Sequence, residues 1–186
     1  MTQASIAPTT ATTWQIDPAH SLVEFSVRHM MVSTVKGRFT DVKGSITYDA
    51  TNPAVAAVQA EIGVASVNTG DAQRDGHLRS ADFFDAEQYP TITFASRRVE
   101  PITAEHVRII GDLTIRGTTR EVVLDAEFNG GGTNPWGKQV IAFTAQTSIN
   151  RKDFGLNWNV ALETGGVLVS DTVKILLEIQ AVAHDA

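Results

Sequence analysis

The sequence predicts an all-β fold: an antiparallel barrel or sandwich of about eight strands, interrupted by one short helical insertion. Three observations carry this. Apolar residues recur at every second position in run after run, the period of a half-buried strand. Turn residues separate the runs at hairpin spacing, with neither a βαβ rhythm nor an internal repeat. One stretch, Asn68–Pro90, breaks the alternation with a helical period.

A chain of 186 residues is long enough for one sizeable core, so a single domain over 14–183 is expected. Residues 1–13 are small and polar, with neither a basic start nor an apolar core. They predict a disordered lead rather than a signal peptide, and a cytoplasmic protein unless a leader precedes this sequence. The net charge of −6 disfavours nucleic acid and anionic membrane as partners, and no apolar run is long enough for stable membrane insertion. The absence of cysteine removes disulfides, thiolate nucleophiles and cysteine metal sites.

Taken in order, Trp14–Pro18 opens the folded part, and Val23, Phe25 and Val27 give the first alternating face over His20–Arg28. His29–Val35 is a less regular apolar link. His29, at a strand end, is expected as a hydrogen-bonded structural residue more than as a ligand. In Gly37–Tyr48, Val42, Gly44, Ile46 and Tyr48 share a phase that Phe39 breaks, which predicts a bulge or change of face near Asp41. After a turn at Asp49–Ala54, Val58, Ala60, Ile62 and Val64 form the next face.

Within the insertion, Arg74, His77 and Leu78 stand at i, i+3 and i+4 on one helical face. Asp71 is the predicted N-cap, Ser80 caps a second turn through Asp85, and Tyr89-Pro90 stops the helix. Strand rhythm then returns at Ile92 and Phe94, and again at Val107–Ile115, where Gly111-Asp112 breaks the phase. Arg116–Thr119 is a tight connection into Val122, Leu124, Ala126 and Phe128. Asn129–Pro135 reads as loop by composition. Ile141, Phe143 and Ala145 begin the next strand. Asn150–Asn159 mixes charge, asparagine and aromatics, Glu163–Leu168 is loop, and Val173–Ala181 is the clearest strand of the chain.

No H-x-H or H-x-x-x-H pair is present, so no metal is expected. Arg74, Asp75, His77 and Arg79 read either as a salt-bridged anchor for the insertion or as the polar end of a ligand site. A hydrolase is the alternative, with His77 beside Asp75 or Asp71 as the base and Ser80 or Ser66 as nucleophile, although no G-x-S-x-G elbow supports it.

Several long motifs, in order, resemble the YceI-like family of polyisoprenoid-binding, lipocalin-like proteins. They are Trp14-x-Ile16-Asp17-x-x-His20-Ser-x-Val23-x-Phe25-x-Val27-x-His29-Met30, Val35-x-Gly37-x-Phe39, Arg74-Asp-x-His77-Leu-x-Ser80-x-Asp82-Phe-Phe-Asp85, Tyr89-Pro90-x-Ile92-x-Phe94, and Arg151-Lys-Asp-Phe154-Gly-Leu-x-Trp158. The resemblance implies an extended antiparallel lipocalin-like barrel around a tunnel for a long isoprenoid or acyl chain. It also implies a homodimer and no established catalytic activity, and no cofactor is expected. The expected tunnel wall is Val23, Phe25, Val27, Ile62, Phe94, Leu124, Phe128, Phe143 and Ile175, with Phe154 and Trp158 near an opening. Arg74, Asp75, His77 and Arg79 are expected at the polar end, Asp75 orienting His77. The segment Gly165–Val169 is the expected partner surface.

Overall fold

The structure is a computed structural model that describes residues 11–49 and 51–184. Its strands are β1 (Thr12–Ile16), β2 (Leu22–His29), β3 (Ser33–Phe39), β4 (Val42–Tyr48), β5 (Ala57–Gly63), β6 (Val67–Asn68), β7 (Thr91–Pro101), β8 (His106–Ile115), β9 (Thr118–Thr133), β10 (Gln139–Asn150) and β11 (Thr172–Ala183). The one α-helix among the described residues, α1, spans Ala72–Arg79. Most of the expected 1–13 lead lies outside the described residues; Thr12 and Thr13 belong to β1.

The sheet closes on itself. Antiparallel neighbours run β1-β4-β5-β7-β8-β9-β10-β11, and β11 returns to β1 through Trp14↔Ala183 and Ile16↔Ala181, making an eight-stranded barrel. The remaining pieces extend strands of this ring. β2 continues the edge that β1 begins, pairing Leu22–Ser26 with Glu178–Lys174 of β11. A 3-10 turn at Pro18–His20 joins them, where Asp17 accepts from the Ala19 amide at 3.0 Å and meets His20 Nδ1 at 2.8 Å.

β3 and β4 form a second broken strand, interrupted at Thr40–Asp41 where the phase of the sequence changes; both Phe39 and Val42 are buried. The kink frees the Asp41 carbonyl for the Gly63 amide at 2.9 Å. β5 and β6 repeat the pattern, with a 3-10 turn at Val64–Ser66 between them. These breaks interrupt three strands of the ring, as irregularities do where barrels close.

One expectation is corrected here. The glycine-rich run expected as loop over 129–135 is largely strand, because β9 continues to Thr133. Gly130, Gly131 and Gly132 pair with Ala142, Ile141 and Val140, and a register shift between Ala142 and Phe143 accommodates Gly130 at φ 112°. Two long partners and a bulge override glycine's poor strand propensity. The turn itself is Asn134–Gly137, where the Asn134 carboxamide accepts from the Trp136 and Lys138 amides.

Candidate functional site

The inward side chains of the barrel leave a cavity of about 360 Å³. Alternation explains its wall. Val23, Phe25, Val27 and His29 on β2, and Val173, Ile175, Leu177 and Ile179 on β11, occupy every second position and all border the space. Opposite them stand Ile62 on β5, Phe94 on β7 and Leu124 on β9. Gly37 lies across from Phe25, and an added Cβ would sit 2.3 Å from Phe25 Cζ. The tip of the ring thus occupies the space that a side chain at position 37 would take.

One end is plugged. Tyr48, Phe128 and Phe143 have the inward parity of their strands, and their ring centroids are 5.2–5.5 Å apart. β9 and β10 are neighbours, whereas β4 reaches β10 only through β1 and β11. Tyr48 therefore reaches across the lumen to touch both phenylalanines. Of the expected wall, these two residues do not border the cavity; they close the space beyond its end.

The other end carries α1 and the 150–170 segment. Asp71 caps the helix through the Arg74 amide at 2.9 Å. Eight residues are too few to hold a helix alone, so its anchors decide its position. Arg79 donates to the Ala65 and Val67 carbonyls at 3.0 and 3.1 Å, fastening the helix to β6. Arg116, at φ 48°, donates to the Phe83 and Gly155 carbonyls and ties the helix-following turn to the 150s segment.

The polar residues separate into two roles. Arg74 and His77 border the cavity. Asp75 is buried and accepts from the Thr69 amide at 2.9 Å and the Thr69 hydroxyl at 2.6 Å. Thr69 in turn receives Arg74 Nε on its hydroxyl and Nη2 on its carbonyl. Asp75 therefore positions Arg74 through Thr69. The expectation that it orients His77 is corrected: His77 Nε2 meets Asp82 at 2.8 Å. That carboxylate favours the proton on Nε2 and leaves Nδ1 as an acceptor in the neutral ring. The imidazole stands edge-on to Phe83 and Trp158, at 5.0 and 4.7 Å.

Arg151 is the buried cation of this end. It donates to the carbonyls of Leu156 (2.6 Å), Trp158 (2.9 Å), Ser170 (2.9 Å) and Val169 (3.4 Å), with Asp171 3.7 Å away. Burial lowers its pKa, and the Asp171 carboxylate opposes that shift. Its guanidinium organises the irregular 156–170 backbone, which contributes Leu156, Trp158, Leu168 and Val169 to the rim. Phe154 also borders the cavity and is almost wholly buried.

Next to this rim, Met30, Met31 and Val32 at the β2–β3 turn are 47, 58 and 75% exposed, and Val160 and Val167 are exposed as well. The Met30 amide donates to the Leu168 carbonyl at 2.8 Å, which joins the two segments. Sequence reasoning missed Thr69, Leu156 and Arg151 as site residues, because no period predicts them. Thr147, Ile149 and Ile179 follow from alternation alone.

The proposed hydrolytic set is not assembled. Ser80 Oγ donates to the His77 carbonyl and Ser66 Oγ to the Gly63 carbonyl, at 2.7 Å each. Among the described residues, no cluster of three or more metal-ligating side chains occurs and no helix is long and apolar enough to cross a membrane.

Residues 14–181 match the YceI-like domain. The chain belongs to the YceI-like family. UPF0312 proteins of Staphylococcus aureus are 40% identical over 164 residues, covering 88% of this YceI-like chain and 93% of theirs. The Campylobacter jejuni YceI protein superimposes with a TM-score of 0.74 at 34% identity, covering 85% of this chain and 90% of its own. BcnA of Burkholderia cenocepacia gives 0.79 at 25% identity, with 89% and 98% covered. A polyisoprenoid binding domain from Saccharophagus degradans shares the fold, with a TM-score of 0.69 at 17% identity over 93% of this chain and 99% of that domain.

Proposed function

We propose that this protein binds and carries a lipid, its apolar chain in the barrel and its polar end at the α1 rim. The single observation that carries the proposal is the cavity: apolar side chains from all sides, plugged at one end, with polar groups gathered at the other. Such a space suits a hydrocarbon chain, since burying each CH2 gains about 0.8 kcal/mol. Association costs about 4–15 kcal/mol, so a chain of ten or more carbons binds with few polar contacts. The polyisoprenoid binding domain of the same fold supports an isoprenoid as one such chain.

In this proposal Val23, Phe25, Val27, Ile62, Phe94, Leu124, Phe154, Trp158 and Ile175 contact the chain, and Arg74 and His77 meet its head. Asp75 and Arg79 act indirectly, through Thr69 and β6. Two Arg74 donors are committed to Thr69, and Asp71, Asp75 and Asp82 offset the local cations. This balance favours a neutral or weakly polar head. The exposed apolar rim around Met31 and Val167 favours a homodimer, which sedimentation at tens of micromolar tests. A cytoplasmic location is part of the proposal, and recovery from the periplasm on fractionation counts against it.

The test is mass spectrometry of an organic extract of natively purified protein. The proposal expects near-stoichiometric lipid and neither ester nor phosphoester turnover. A barrel that is empty and also refuses prenyl and acyl chains in titration overturns it.

A further inference from the structure

We infer that Tyr48, Phe128 and Phe143 form a floor that limits the bound chain to about 14 carbons, three isoprene units or an acyl tail of that size. The inference rests on the carrier proposal and adds the ligand's length. Two independent features of the cavity give that limit. An apolar cavity of ~150 Å³ takes one benzene, so 360 Å³ takes somewhat more than two, or about 14 carbons. The inward β11 residues along the cavity run from Val173 to Ile179. That is about 20 Å of strand, or about 15 Å along the axis at ordinary barrel tilt.

The depth ends where the rings begin. Ile179, the deepest β11 residue on the cavity, is the cross-strand partner of Phe143. On β4, Ile46 borders the cavity and Tyr48, the next inward position, does not. Phe128 faces Phe143 across the β9–β10 pair and completes the layer. Tyr48 on β4 comes from across the barrel to meet the two rings of the neighbouring β9 and β10, so a chain end meets a layer of rings rather than a gap between strands. A fourth isoprene unit has to remain in water beyond the α1 rim, and each unhoused methylene then loses its transfer free energy.

The test loads delipidated protein from phosphatidylcholine vesicles that contain geraniol, farnesol, geranylgeraniol and solanesol in equal amounts. Linear alcohols of matched carbon count form a second arm. The bound pool is read by mass spectrometry after re-isolation, with circular dichroism verifying the fold. The wild type should take farnesol over geranylgeraniol and solanesol by at least about tenfold. Phe143→Ala vacates roughly a benzene's worth of space and should raise geranylgeraniol to parity with farnesol or above it. Ile46→Phe raises the floor by one layer and should shift the preference to geraniol; because it fills space, it tests the floor even if Phe143→Ala does not fold.

Wild-type protein that takes solanesol as readily as farnesol overturns the floor and leaves the carrier proposal standing. So does a bound pool unchanged in both variants. Folded wild-type protein that takes up no alcohol of any length overturns the carrier proposal itself.

Discussion

Replacing Arg151 by methionine tests whether one buried cation holds the cavity rim together. Methionine keeps much of the length and removes every donor. Three carbonyls lose a partner at 2.9 Å or less, those of Leu156, Trp158 and Ser170, and Val169 loses a weaker one at 3.4 Å. A hydrogen bond to a charged group contributes about 1.5–3 kcal/mol, and a stranded buried acceptor costs about 1–3 kcal/mol. These terms do not add, because the loop can relax and admit water. The variant is also relieved of the desolvation that lowers the Arg151 pKa. The balance is about 3 kcal/mol, at the lower edge of the range for breaking a buried charge network. For a protein of this size that is about 6–12 °C in Tm. Urea and thermal unfolding by circular dichroism measure it, with lipid uptake measured in parallel. Arg151→Lys should fall between, since an ammonium cannot match the fork of the guanidinium. A methionine variant within about 1 kcal/mol of wild type, with normal uptake, refutes the assignment.

Three further outcomes are expected. Gly37→Ala places a methyl 2.3 Å from Phe25 Cζ and forces the ring into the lumen, costing about 1–3 kcal/mol in stability and lowering uptake; unchanged uptake in titration removes Phe25 from the wall. Tyr48 has its pKa raised by burial and by the Asp49 charge, so its contribution to stability is present below the unfolded value near ~10 and is lost as pH rises through the folded value. Urea midpoints measured at rising alkaline pH should therefore fall more in wild type than in Tyr48→Phe, and equal slopes count against a buried phenol. Matched prenyl alcohol and prenyl pyrophosphate should bind with the alcohol at least as tight; pyrophosphate binding that is tighter and weakens with salt argues for an anionic head.

Much of the wall was legible because alternation assigns a face without any knowledge of partners. Val23, Phe25, Val27 and Ile175 needed only a period of two. Height along the barrel is a different matter. Phe128 and Phe143 share the parity of Leu124, yet the pairing register lifts them beyond the cavity end. The N-cap at Asp71 was legible as a local signal, whereas Asp75 and Arg79 bond to residues outside the helix. Those partners are fixed by the fold around the helix, and the i, i+3 spacing that grouped the charges carries no trace of them. The break at Asp41 was visible in the phase of Phe39, and the paired glycines of β9 were not, since composition ignores a partner strand.

The seam of the barrel has a consequence for how the protein is made. Trp14 pairs with Ala183, so β1 finds its second neighbour only after nearly the whole chain exists. A nascent polypeptide can form the β7–β8–β9 meander early, because those pairings are local. It cannot enclose a lumen until β11 leaves the ribosome, and such long-range closure is slow. Until then β1 and β10 present bare edges and the sheet leaves its apolar inner face open, the circumstance in which unfinished sheets aggregate. On the carrier proposal, loading accordingly belongs after translation.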